Sequence, residues 1–228
     1  MLVRDWMSTN VVSVNADDTM HHAIDLLMEN HIGMMPVMEE GRLVGVITDR
    51  DLKRASPSDA SPLDFQRLLY HLARLQVGAI MNRYPVTVHE NSTVAEAAEV
   101  LLEHEISGCP VVDDQGTIKG IITKSDLFKV MIAMTGLHER GLQFGFRVKD
   151  EPGSIKKITD TLRRYDARLA SILSSYEEAP EGYRHVYIRV FNVNRDTKSQ
   201  LVDDLKQVCT VIYVVDLREK QREIYPVD

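Results

Sequence analysis

A duplication constrains this chain more than any other feature. Gly45-Val46-Ile47-Thr48-Asp49-Arg50-Asp51-Leu52 returns as Gly120-Ile121-Ile122-Thr123-Lys124-Ser125-Asp126-Leu127. The match reaches far beyond these octapeptides. Met7 maps to Met81, Thr19 to Thr93, Ile32 to Ile106 and Pro36 to Pro110 at a constant offset of 74 residues. One inserted residue near Gln115 makes the offset 75 thereafter, so Asp51 maps to Asp126. Self-similarity at a fixed offset marks two copies of one structural unit.

Each copy reads as strand, helix, strand, strand, helix. Asn10-Val11-Val12-Ser13-Val14 is a short strand, and Asp18 or Thr19 then caps a helix. Its apolar residues Met20, Ala23, Ile24, Leu27 and Met28 form one helical stripe, repeated as Val94, Ala97, Ala98, Leu101 and Leu102. Next come strands entered through small residues and a proline, Ile32-Gly33-Met34-Met35-Pro36-Val37 and Ile106-Ser107-Gly108-Cys109-Pro110-Val111. Gly41-Arg42 and Gln115-Gly116 turn the chain into the β-branched runs that begin at Gly45 and Gly120. Thr-x-x-Asp then starts a helix, and its plainest role is a capping box, Thr48 with Asp51 and Thr123 with Asp126. Between the copies, residues 56–62 break the pattern, and Phe65, Leu68, Leu69 and Leu72 stripe a connecting helix over 61–79. The copies themselves span 1–60 and 80–135.

On these motifs the two units resemble cystathionine-β-synthase (CBS) domains, and the tandem resembles a Bateman module. The resemblance covers roughly residues 1 to 133, in matching order on both copies. It implies two small mixed sheets with helices sharing a core, and clefts between them for adenosine-containing ligands. Those ligands are often AMP, ADP or ATP, sometimes S-adenosylmethionine or NADH. Carried onto this sequence, Asp51 and Asp126 would accept ribose hydroxyls, with Thr48 and Thr123 toward phosphate. Ile32, Pro36, Ile106 and Pro110 would wall the base, Val12 and Val86 would flank it, and Gly33, Ser107 and Gly108 would let backbone amides approach. Asp49 beside Thr48 disfavours an anion unless Arg50 or Arg42 offsets it, whereas Lys124 and Ser125 favour one. The Thr123/Asp126 cleft is therefore expected to bind more tightly.

From residue 141 the pattern changes. Leu142, Phe144, Phe146 and Val148 alternate as a half-buried strand, and Ile155, Ile158 and Leu162 stripe the helix that follows. Alternation returns over Leu169 to Tyr176 and His185 to Asn192. A helix with Leu201, Leu205 and Val208 precedes the strand Val211 to Val215. The order is β-α-β-β-α-β, the ferredoxin-like arrangement. With Asp150-Glu151-Pro152-Gly153-Ser154 at the first strand-to-helix turn, residues 141–218 resemble an ACT domain. Such domains commonly pair across subunits and bind an amino acid at that turn, here Asp150, Pro152 and Gly153, although an ordinary tight turn is the plainer reading. Residues 219–228 read as a charged, solvated tail. Two CBS units followed by an ACT-like unit resemble the acetoin-utilisation B (AcuB-type) family.

The expected fold class is thus α/β (α+β), a CBS pair followed by an ACT-type domain. A net charge of −7 argues against broad nucleic-acid binding, and no apolar run reaches membrane-spanning length. Cys109 and Cys209 fall in separate units, so no disulfide framework or zinc cluster follows, and Cys109 reads as a packed thiol. The chain carries no Walker loop, Gly-x-Gly-x-x-Gly, His-Glu-x-x-His or nucleophile elbow. The expectation is a cytoplasmic, homodimeric regulator that is not an enzyme, requires no cofactor, and senses an adenosine nucleotide on behalf of an effector protein in trans. The rivals are an enzyme such as a slow nucleotide hydrolase, a dimeric scaffold with vestigial clefts, and a DNA-binding regulator.

Overall fold

The computed structural model describes residues 1–55 and 75–226. The chain divides into two compact units, Met1–Phe128 and Lys129–Asp228. In the first unit β1 (Val14–Asn15), α1 (Met20–Glu29), β2 (Met34–Glu39), β3 (Arg42–Thr48) and α2 (Asp49–Ala55) make the first repeat. After the short helix α3 (Val77–Ile80), the second repeat contains β4 (Val88–His89), α4 (Val94–Glu103), β5 (Gly108–Val112) and β6 (Ile118–Thr123). It closes with α5 (Lys124–Met134), inside which the boundary between units falls. The strands form two mixed sheets, β1-β2-β3 and β4-β5-β6, each with one parallel and one antiparallel pair.

Local chemistry explains where these elements start and stop. Thr19 and Thr93 are the helix caps, their hydroxyls accepting from the His22 and Glu96 amides, each at 3.2 Å. Met20, Ala23, Leu27 and their counterparts Val94, Ala97 and Leu101 are buried. Met28 and Leu102, expected on the same stripes, are 62% and 69% exposed. Eight residues past the stripe's first position, the helical period has carried them off the core-facing side. The first hairpin turns at Glu40-Gly41, both with positive φ, one residue earlier than expected. In the second copy the Asp113 carboxylate accepts from the Gln115 and Thr117 amides at 2.9 Å, which organises the loop holding the inserted residue. Of the opening strand expected over 10–14 only the end is a strand. Most of the connecting helix expected over 61–79 lies outside the described residues.

The two repeats exchange their opening segments. Leu2 and Ser8 bridge to Thr93 and Ile121 of the second repeat, while Gln76 and Asn82 bridge to Thr19 and Val46 of the first. Ser8 and Ile121 trade N–H···O bonds of 2.9 and 3.0 Å, as do Asn82 and Val46. Side chains follow the backbone. Val3 is buried with Ala97, Leu101, Cys109, Val111 and Ile122, and Val77 with Met20, Ala23, Leu27, Met35 and Ile47. The exchange fixes the residue at the head of each repeated octapeptide. A Cβ on Gly45 would lie 2.7 Å from the Asn82 carbonyl oxygen, and one on Gly120 would lie 2.8 Å from that of Ser8.

The second unit holds β7 (Leu142–Lys149), α6 (Ser154–Arg164), β8 (Arg168–Ser175), β9 (Tyr183–Phe191), α7 (Lys198–Val208) and β10 (Thr210–Asp216). The order is the β-α-β-β-α-β read from the sequence. With β11 (Gln221–Ile224) added at one edge, its sheet runs β11-β10-β7-β9-β8 and is antiparallel throughout. The tail expected to be solvated is exposed over that strand and is nonetheless hydrogen-bonded to β10. Leu142, Phe144, Phe146 and Val148 share one buried face with Ile158, Leu162, Leu201 and Leu205. Val208, expected on the α7 stripe, is 38% exposed at the helix end. Leu169, Ile172 and Tyr176 are exposed too, since β8 is an edge strand whose register shifts between Leu169 and Ser171.

Candidate ligand-binding cleft

At the start of α2 the Asp51 carboxylate oxygen Oδ2 accepts from the Thr48 amide at 2.9 Å and the Thr48 hydroxyl at 2.6 Å. The Asp51 amide donates back to the Thr48 hydroxyl at 3.3 Å. Thr123 and Asp126 repeat this at 3.0, 2.7 and 3.3 Å. Both are capping boxes in geometry. Their surroundings differ: Asp51 is half-buried, whereas Asp126 is only 4% exposed.

The first box opens onto a cleft of about 200 Å³ within the first unit. One wall is Met34, Val46, Thr48 and Asp51 of the first repeat; the other is Val86, Ile106, Ser107 and Pro110 of the second. Asp49, Arg50, Arg54 and Glu105 supply further charge, and Asn82 reaches in from the exchanged segment. The cleft therefore gathers seven of the expected site residues, Thr48, Asp51, Val86, Ile106, Ser107, Gly108 and Pro110. Thr123, Asp126, Val12, Ile32 and Pro36 are not in its lining. Thr123 and Asp126 of the second repeat match Thr48 and Asp51, and Val12, Ile32 and Pro36 of the first match Val86, Ile106 and Pro110; Val12 and Ile32 pack against the first repeat's core and Pro36 is buried.

Several side chains have structural duties beside the expected ones. Ile32 and Ile106 follow left-handed residues, His31 at φ 52° and Glu105 at φ 53°. Their amides donate to the Leu27 and Leu101 carbonyls at 3.0 and 3.1 Å, closing the C-termini of α1 and α4 in Schellman fashion. Gly108 is held small by packing, since a Cβ there would lie 2.9 Å from the Ile122 carbonyl oxygen. Gly33 has open space at that point. Burial pushes the Cys109 thiol up to about 12, which keeps it protonated and unreactive. Arg54 and Glu105 were not singled out in the sequence. Arg54 was findable as the residue three after Asp51 on one helix face; Asn82 was not, because only the exchange brings it here.

In the second unit, Gly153 takes φ 87° as the residue before α6, a conformation that suits glycine. Asp150 is held by Tyr176, whose hydroxyl donates at 3.3 Å, and by Arg184 at 3.6 Å. The Arg184 guanidinium also donates to the Ser154 hydroxyl at 3.2 Å. The turn is built by contacts within the unit. Among the described residues no group of three or more His, Cys, Asp or Glu could hold a metal ion. No described helix is long and apolar enough to cross a membrane.

The first unit is thus a duplicated β-α-β-β-α module whose halves exchange segments around a shared cleft. The CBS domain matches residues 3–58 and 77–133. A CBS domain-containing protein of Dictyostelium discoideum is 37% identical over 133 residues, 58% of this chain and 92% of that one. The CBS domain-containing protein YhcV of Bacillus subtilis is 31% identical, over 55% of this chain and 81% of its own. The crystal structure of the CBS-pair protein CBSX2 from Arabidopsis thaliana superposes with a TM-score of 0.51 at 28% identity, over 57% of this chain and 94% of that one. The chain belongs to the CBS domain-containing proteins.

Proposed function

We propose that the chain is a ligand-sensing regulatory protein whose first unit takes an adenosine nucleotide, of the AMP, ADP or ATP type, at Thr48 and Asp51. The observation that carries this reading is the open cleft in which that pair faces the apolar residues Val86, Ile106 and Pro110. Neighbouring sugar hydroxyls need paired acceptors, and the capping box uses only Oδ2 of Asp51 in its two bonds. The apolar wall suits a flat base. Arg50 and Arg54 stand for phosphate and offset Asp49 and Glu105. A volume of about 200 Å³ is at the small end for a ligand site, so the phosphates lie toward the exposed arginines.

The duplication implies a second, weaker site at Thr123 and Asp126, for which Val12, Ile32 and Pro36 hold the positions matching Val86, Ile106 and Pro110. Burial of Asp126 is the reason to rank it second, against the order that its Lys124 and Ser125 favoured. Occupancy shifts the relative arrangement of the repeats, and a partner protein senses that arrangement through its different affinity for the two states. The regulated activity lies on that partner, in acetoin or carbon metabolism, and the chain works as a homodimer in the cytoplasm. The second unit completes the assembly as an ACT-type domain over 141–218.

Titration calorimetry with AMP, ADP, ATP, S-adenosylmethionine and NADH tests the reading. Asp51→Ala is expected to weaken the preferred nucleotide by about tenfold or more, the loss of a charged acceptor. Unchanged affinity in that variant would move the site elsewhere. Both capping boxes are satisfied within the chain, which favours a second reading, a scaffold with vestigial clefts. That reading predicts no binding across the panel.

A further inference from the structure

We propose that the second unit carries its own binding groove for a small, multiply charged phosphate compound, distinct from the nucleotide cleft. A groove of about 690 Å³ runs between the end of β7, the first turns of α6, the last turn of α7 and the start of β10. That volume falls inside the range of about 300–1,000 Å³ usual for small-molecule sites. Four cations from three elements line it: Arg147 and Lys149 on β7, Lys157 on α6 and Lys206 on α7. Glu151 is the single acidic residue among the lining, and it is already paired with Lys157 at 3.3 Å. The lining is thus predominantly basic on a chain whose net charge is −7.

Just beyond the lining, Glu223 accepts from the Tyr225 hydroxyl at 2.7 Å and lies within electrostatic reach of Lys206, which offsets part of this charge. The C-terminal carbonyls of α7 border the groove, and the Lys206 ammonium, in that same last turn, lies 4.0 Å from the Tyr225 ring centroid. Lys149 makes no ion pair among the described residues. Ser154 at the start of α6 is on the lining, and Tyr183 and Gln207 add neutral polar groups. Cations spread around a groove favour an anion with charge at more than one point.

The same census argues against an amino acid at this turn. A zwitterion would bring an ammonium group among four cations, where the one lining carboxylate, Glu151, is already paired with Lys157. Asp150, Pro152 and Gly153 are not on the lining, so the turn frames the groove without contributing those residues to it. A phosphate compound needs no such partner.

Calorimetry of the full chain with pyrophosphate tests the proposal, with glycine as the zwitterionic competitor. Saturable binding is expected, weakened about tenfold or more by Lys149→Gln/Lys206→Gln. The exposed pair Arg163→Gln/Arg195→Gln removes the same charge elsewhere in the unit and is expected to weaken binding by less than about threefold. Lys149→Gln alone, which leaves the Lys206–Tyr225 contact intact, is expected to weaken it measurably, so a folding defect in the double variant does not hide the answer. No saturable binding up to about 10 mM, equal weakening by both pairs, full retention in Lys149→Gln/Lys206→Gln, or displacement by glycine would each overturn the proposal.

Discussion

Glu105 shows how one residue can serve two scales of structure at once. It ends α4 in the left-handed region, and it lines the cleft between the repeats. Glycine holds that backbone without a Cβ penalty, so Glu105→Gly is expected to raise the urea midpoint by the equivalent of about 0.5–1 kcal/mol. The same change removes a negative charge beside Arg50 and Arg54, and nucleotide affinity should rise with it. Cys109 gives a pH prediction. Its folded thiol is raised from 9.0 to about 12, so the stabilisation it represents is complete below about pH 9 and is lost as pH climbs toward 12. Cys109→Ala should therefore lose less stability than the parent chain between about pH 8 and 10.5, measured by urea unfolding. An identical loss in both would mean the thiol does not titrate differently on folding. The Thr48/Asp51 and Thr123/Asp126 boxes were legible in the sequence because a cap is a local interaction, closed within four residues. The need for glycine at 45 and 120 was not, because the atoms that would collide belong to segments far away in the chain.

At the scale of elements, the exchanged segments decide which core each residue stabilises. Val3 is fully buried in the second repeat although it begins the first. Val3→Ala is expected to cost about 2 kcal/mol through the methyl groups removed and the space left. Hydrogen exchange should locate the loss in α4 and β5, with α1 and β2 unchanged; faster exchange in α1 instead would contradict the exchange of segments. Strand and helix order was readable in both repeats because hydrophobic period and turn chemistry act locally. The connection of 75–82 to the first repeat was not, since a segment's period says that it has a buried face and not what buries it. The β8 strand makes the same point. Its alternation was visible, yet its large residues are exposed at a sheet edge.

For the whole molecule, the described cores stay within the two units: one cluster holds residues 142–214 and the other two hold residues 3–122. Separate cores predict separate unfolding. Calorimetric melting is expected to show two transitions, with a nucleotide raising one and pyrophosphate the other by mass action. A single transition raised by both would join the units into one cooperative body. The sequence by itself determined the duplication, the β-α-β-β-α-β order over 141–218, and the capping boxes. These follow from spacing and from interactions among near neighbours. The tertiary structure alone decided that residues 1–8 serve the second repeat, that Thr48 and Asp51 face Val86, Ile106 and Pro110, and that four cations from three elements meet beside Glu151. Each of these depends on distances between residues remote in the chain, which packing sets and a linear pattern does not record.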